Sequence, residues 1–244
     1  MGQFGGNHMA IDIITALRRE LLQQADEKVK SGYHRFFKED VTFYGVNNAL
    51  VDKIAGRYFQ DARYLGKKGV FRLCEELWKS DYNEEAFIAC NWSYRFHQQY
   101  EPDDFYTFEG WVKNYVNNWA KCDTLCNHTI GAIVEMYPQF LKDLKQWARS
   151  PNRWFRRAAA VTLIIPAKRG KFLEDIFEIA DFLLTDPDDL VQKGYGWLLK
   201  DAAIQHKDEI FEYVMKHKQA MPRTALRYAI ERLPADLRRK AMEK

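Results

Sequence analysis

Ile11, Ile14, Leu17, Leu21 and Leu22 recur at intervals of three and four, the spacing that lines one face of an α-helix. They predict a first helix over residues 10–30, preceded by a mobile tail over residues 1–9. A short segment over 33–38 follows, and then a break at Tyr44-Gly45-Val46. Asn47 or Asn48 fits as the cap of a helix reaching residue 59. The same periodicity predicts helices over 67–78, 83–100, 104–117, 123–136 and 139–149. Beyond them come 152–165, 170–184, 188–204, 206–218, 222–232 and 235–242. The connections are short and carry Pro, Gly, Asn or Asp, which favours antiparallel neighbours. No linker interrupts the pattern, so a single all-α domain over residues 1–244 is expected.

A weak repeat lies within this pattern. Pro151 opens a segment running through Arg157 to Ala159, and 36 positions later Pro187 opens one running through Lys193 to Tyr195. Small residues occupy both helix centres (Ala158-Ala159-Ala160; Gly194 and Gly196), and a third helix opened by Pro222 holds Ala225 and Ala229. Such residues let helices approach closely, and a period near 36 suits stacked helix pairs in an elongated or curved domain. A non-repeating bundle is the alternative.

Composition adds a charge asymmetry. The formal net charge is only +3, yet nine basic residues (Lys121, Lys142, Lys145, Arg149, Arg153, Arg156, Arg157, Lys168, Arg169) face three acids between Trp119 and Arg169. The segment from Met221 adds seven basic residues against three acids, which leaves the remainder negative. A concentrated positive field suits a phosphate backbone, although a solvated helix surface has the same composition. The four cysteines follow no secretory signal, so a reducing cytoplasm is expected rather than a disulfide scaffold. No uninterrupted apolar stretch reaches membrane length, and Gly6 spoils a myristoylation signal at Gly2. Cys122, Cys126 and His128 are close in sequence, but a structural zinc site needs four ligands in recognisable pairs. Buried thiols are the simpler reading, and no metal or cofactor is expected.

Three stretches carry candidate chemistry. In Asn118-Trp119-Ala120-Lys121-Cys122-Asp123-Thr124, Trp119 and Asp123 share a face if both are helical. Otherwise Asp123 is the N-cap of the following helix. Arg153-Trp154-Phe155-Arg156-Arg157 interleaves guanidinium groups with rings, as phosphate contacts or as an ordinary amphipathic helix start. Arg156 and Arg157 point about 100° apart on a helix, so only one is expected to face the Asp123 side. Lys193-Gly194-Tyr195-Gly196-Trp197 places two destabilising glycines before a tryptophan, which is either a core residue or part of a ligand contact.

These stretches, in this order, resemble the AlkD family of DNA alkylation-repair glycosylases, over roughly residues 36–232. The matching elements are Trp119 to Asp123, Arg157-Ala158-Ala159, and Gln192-Lys193-Gly194-Tyr195-Gly196-Trp197. The resemblance implies a curved solenoid of antiparallel HEAT-like helical repeats. It implies Asp123 as the catalytic carboxylate, Trp119 and Trp197 as lesion-side aromatics, and Arg157 as a phosphate-facing residue. Arg153, Arg156 and Lys193 are the accompanying DNA-binding candidates. The register ending in Phe43-Tyr44-Gly45-Val46 sets Phe36 where the family often has Tyr, a ring that lacks the hydroxyl.

The implied partner is duplex DNA containing alkylated bases, met by a cytoplasmic monomer that needs no protein partner and associates with the nucleoid through DNA. A purine alkylated at N7 or N3 is already cationic and leaves readily, so a carboxylate that stabilises the developing sugar cation suffices. The resemblance also implies excision without enclosing the base, unlike extrusion into a pocket. The rival is a non-catalytic helical-repeat module that binds nucleic acid or protein.

Overall fold

The computed structural model describes residues 2–243. The chain folds into two compact units, one up to Leu125 and one from Cys126. The first unit contains α1 (Gly2–Gln23), α2 (Glu27–His34), α3 (Asn48–Ala62), α4 (Gly66–Trp78), α5 (Asn83–Tyr94), α6 (Asp104–Tyr115) and α7 (Trp119–Thr124). The tail expected over residues 1–9 concerns side chains outside the described residues, although the α1 backbone is helical from Gly2.

The helix expected over 10–30 is broken after Gln23. The Asp26 carboxylate accepts hydrogen bonds from Lys28 N (2.7 Å) and Val29 N (3.4 Å), and so starts a new helix, α2. Gly45 supports this start. It sits at φ +96° and a Cβ there would lie 2.5 Å from Asp26 O. Its own carbonyl accepts Asp26 N at 3.0 Å. In this unit α3 packs on α5 and α5 on α7, while α4 packs on α1, α5 and α6. Leu17, Ile54, Leu77, Trp78, Trp92 and Trp111 are buried between them.

The second unit contains α8 (Gly131–Met136), α9 (Leu141–Trp147), α10 (Arg153–Val161), α11 (Ile164–Lys168) and α12 (Leu173–Leu183). It continues through α13 (Asp189–Ala202), α14 (Lys207–His217), α15 (Arg223–Ala229) and α16 (Ala235–Met242). A π-helical turn over Leu125–Ile130 leads into α8. The one long helix expected over 123–136 is therefore α7, this turn and α8 in succession. Among the described residues the only β feature is an isolated bridge between Thr42 and Tyr82. No helix there is long and apolar enough to cross a membrane.

The repeat is physical. In the second unit α9 packs on α10 and α12 on α13, and α13 in turn packs on α14 and α15. One layer runs α10, α13, α15, the three helices whose small residues signalled the period. A Cβ on Gly196 would come within 2.7 Å of Tyr228 Cβ and 2.8 Å of Ala225 O, so the missing side chain is what lets α13 and α15 meet. We expect Gly196→Ala to destabilise the second unit by about 1–3 kcal/mol, the usual cost of overpacking. Gly110→Ala on α6, where nothing lies within 4 Å, is expected to be neutral or stabilising. Thermal unfolding of the two variants side by side checks this, and equal midpoints would contradict it.

Candidate functional site

In the first unit the site is built around the start of α7. Asn118 is its N-cap and accepts a hydrogen bond from Lys121 N at 3.0 Å. Asp123 therefore lies inside the helix, one turn beyond Trp119, rather than at the cap. The two share a face because four residues make about one turn. Both are half-buried.

A polar knot holds this helix start in place. The Asn118 amide donates to Asn83 Oδ1 (2.9 Å) at the first turn of α5, and to Asn117 Oδ1 (3.1 Å). Lys121, only 1% exposed, puts its ammonium on Asp81 Oδ1 (2.6 Å), Asp81 O (3.0 Å) and Asn117 Oδ1 (3.1 Å). Asp81 presents both oxygens by adopting the left-handed conformation, φ 65°, which Asp tolerates better than most residues. Burial lowers the Lys121 pKa below the ordinary lysine value, against the opposing pull of the Asp81 carboxylate.

Beside this knot, Phe36 and Phe37 meet Trp119. The indole donates its N–H to Phe36 O at 3.3 Å, and the Phe37 ring stacks on the indole with centroids 5.1 Å apart and planes 15° apart. The Phe36 ring itself is 73% exposed. Register in the sequence points to Phe36, and nothing local marks the neighbouring Phe37.

The extended stretch after these rings is fixed by acids at the start of α5. Glu84, fully buried, accepts the backbone N–H groups of Tyr44 (3.2 Å), Gly45 (2.9 Å) and Val46 (3.1 Å). Glu85, also buried, accepts the Tyr44 hydroxyl (2.6 Å) and the Arg18 guanidinium (2.9 Å). Burial and this carboxylate push the Tyr44 hydroxyl pKa far up. From sequence, Asn83-Glu84-Glu85 reads as an ordinary solvated helix start, and nothing local marks it as buried.

In the second unit Trp197 lies on α13, half-buried, and donates its indole N–H to Asp201 Oδ2 at 2.8 Å. Asp201 is buried and also binds Arg232 Nε (2.9 Å) and Lys168 Nζ (3.3 Å). The signal was available in the sequence, since Trp197 and Asp201 repeat the spacing of Trp119 and Asp123. Of the seven tryptophans, the other five are buried core residues. Trp119 and Trp197 are the two left partly open.

The arginine cluster sits where α10 packs on α13. Arg157 is 5% exposed and runs across Gly194, and its guanidinium donates to Leu190 O. That position braces α10 against α13. Arg156 pairs with Asp186 (2.6 Å) and Arg153 with Asp188 (2.8 Å), the N-cap of α13. Lys193 pairs more loosely with Asp189 at 3.4 Å. Arg153 and Lys193 keep the most exposed side chains of the four candidates, at 35% and 36% against 18% for Arg156.

The positive run counted along the chain is thus largely matched in space. Lys121, Lys145, Arg153, Arg156, Lys168 and Arg169 all pair with acids 30 or more positions away. What remains is a difference between units. Up to Leu125 there are 16 basic and 18 acidic residues, a net −2; beyond it 21 and 16, a net +5. All four cysteine side chains are buried, so Cys122 and Cys126 line the interior rather than a surface site.

A family model described as DNA alkylation repair enzyme matches residues 17–233. A solved structure described as a predicted DNA alkylation repair enzyme from Enterococcus faecalis superposes with a TM-score of 0.78 at 15% identity. The match covers 87% of this chain and 98% of that one, a likeness of fold. No curated protein matches the chain.

Proposed function

This chain belongs to the DNA alkylation repair enzyme family, and from that premise we propose that it is a monofunctional DNA glycosylase releasing cationic N7- and N3-alkylated purines from duplex DNA. The observation that carries the reading is the state of its two half-open tryptophans. Both spend their indole N–H on protein acceptors, Trp119 on Phe36 O and Trp197 on Asp201. Each is left with ring surface to offer a ligand. Ring surface attracts cations, and a glycosidic bond breaking from an alkylated purine generates cationic character on the sugar.

Asp123 sits on the same helix face as Trp119, one turn away. In this reading its carboxylate stabilises the developing oxocarbenium ion and orients the water that attacks the anomeric carbon, taking the proton that the water gives up as the C–O bond forms. The departing base needs no general acid because it leaves as a neutral purine. Lys121, two residues before Asp123, is not placed to act as an amine nucleophile. A lysine with a lowered pKa suits amine nucleophiles, but this one is buried with its Nζ on Asp81. Trp197 is assigned the second ring contact and Arg153 and Lys193 the phosphate contacts. Arg156 and Arg157 hold the helices that carry them.

Selection by charge and bond lability has a direct consequence. The chain is expected to release 7-methylguanine and 3-methyladenine from methylated duplex DNA and to leave uncharged 1,N6-ethenoadenine in place. Chromatography of released bases measures both. Efficient ethenoadenine release would refute the charge-selective mechanism; retention of all three bases with duplex binding intact would favour a non-catalytic binding module.

A further inference from the structure

We propose that Phe37 is a positioning residue for Trp119, backing one indole face so that only the opposite face is offered to substrate. The inference rests on the glycosylase reading and deepens it. Two contacts fix the indole in complementary ways. The bond from its N–H to Phe36 O sets its direction within the ring plane, and the 15° stack on Phe37 sets its tilt. Phe37 is itself backed by Phe43, 5.6 Å away, and Phe43 is packed by Tyr33 at 5.1 Å and His34 at 5.7 Å.

Phe43 is 3% exposed and adjoins the backbone tied down by Glu84, so the ladder of rings starts in the core and ends at the half-open Trp119. A face–cation contact depends on ring orientation, and an indole that swings by a rotamer loses it. The alignment comes from the segment before α3, whereas Asp123 lies on the helix that bears the indole. The two phenylalanines also divide the work differently. Phe36 holds the indole through its carbonyl, which any residue has, whereas Phe37 holds it through its ring.

The test is a double-mutant cycle on single-turnover release of 7-methylguanine from methylated duplex DNA. Phe37→Leu is made in the natural chain and in Trp119→Ala, with duplex affinity and thermal midpoint measured alongside. Phe37→Leu is expected to slow release about three- to tenfold, the worth of an aromatic pair, with duplex affinity retained. Phe37→Tyr is expected to restore the rate. In the Trp119→Ala background Phe37→Leu should cost nothing more, because its effect passes through the indole. If the leucine variant melts early, Phe37→Met fills the volume without an aromatic face and is read in the same cycle. No slowing, or equal slowing in both backgrounds, overturns the positioning role while leaving the glycosylase intact. Absence of release by the natural chain overturns both.

Discussion

Asp123→Asn is expected to lower base release by about a hundred- to a thousandfold, the scale seen when one preorganised stabilising group is removed from an active site. The substitution is nearly isosteric and removes the negative charge that would face the sugar cation. The helix should not suffer, because Asn118, not Asp123, supplies the N-cap of α7. Folding, read by the thermal midpoint, and affinity for methylated duplex should both stay close to those of the natural chain. This separates a chemical role from a structural one. An Asp123→Asn chain that releases 7-methylguanine at the natural rate would remove Asp123 from the centre of the mechanism.

The second large effect concerns a residue far from any chemistry. Glu84→Ala is expected to destabilise the first unit by about 3–5 kcal/mol, since it strips the acceptor from three N–H groups around a buried carboxylate and leaves a void. For a chain of this size that corresponds to a drop of roughly 6–20 °C in thermal midpoint. Base release should fall with it, because the stretch from Thr42 to Val46 carries Phe43 and, through it, the ring behind Trp119. Glu84→Gln keeps one accepting oxygen and should cost less. Differential scanning calorimetry orders the three chains. An alanine variant as stable as the natural one would mean that solvent or a rearranged loop satisfies those N–H groups.

The two residues differ in how visible they are along the chain. Asp123 is legible because its chemistry lies in a local pattern, a tryptophan one helical turn before a carboxylate. Glu84 is hidden because its neighbours in sequence are ordinary for an exposed helix start, while its partners lie about 40 positions earlier. The start of α7 is left open by the local sequence for the same reason. Asp123 and Asn118 are both good cap residues. What favours Asn118 is its amide bond to Asn83, 35 residues away, together with the anchoring of Lys121 on Asp81.

Charge shows the same division. Counted along the chain, residues 119–169 look like a phosphate-binding run. In a helical repeat with a period near 36, a residue lies beside others about one period away. Arg156 finds Asp186, Arg153 finds Asp188 and Arg169 finds Glu135. A count of charges along the chain takes no account of this pairing, even where both partners fall inside the run, as Glu135 and Arg169 do. Arg157 follows the rule as well, reaching Leu190 O across the space above Gly194.

The sequence alone determined the all-α class, most helix centres, the start of α3 at Asn47 or Asn48 and the small-residue signal of the repeat. Each of these depends on spacings of four residues or fewer, or on a period that the chain prints twice. Only the tertiary structure decided which glycines leave no room for a side chain, which acids are buried, which arginines brace helices, and which ring stands behind Trp119. Those outcomes depend on contacts between distant residues, such as Gly196 and Tyr228, 32 positions apart, and Phe37 and Trp119, 82 apart. Their energies come from desolvation and close packing, neither of which is a property of the local sequence.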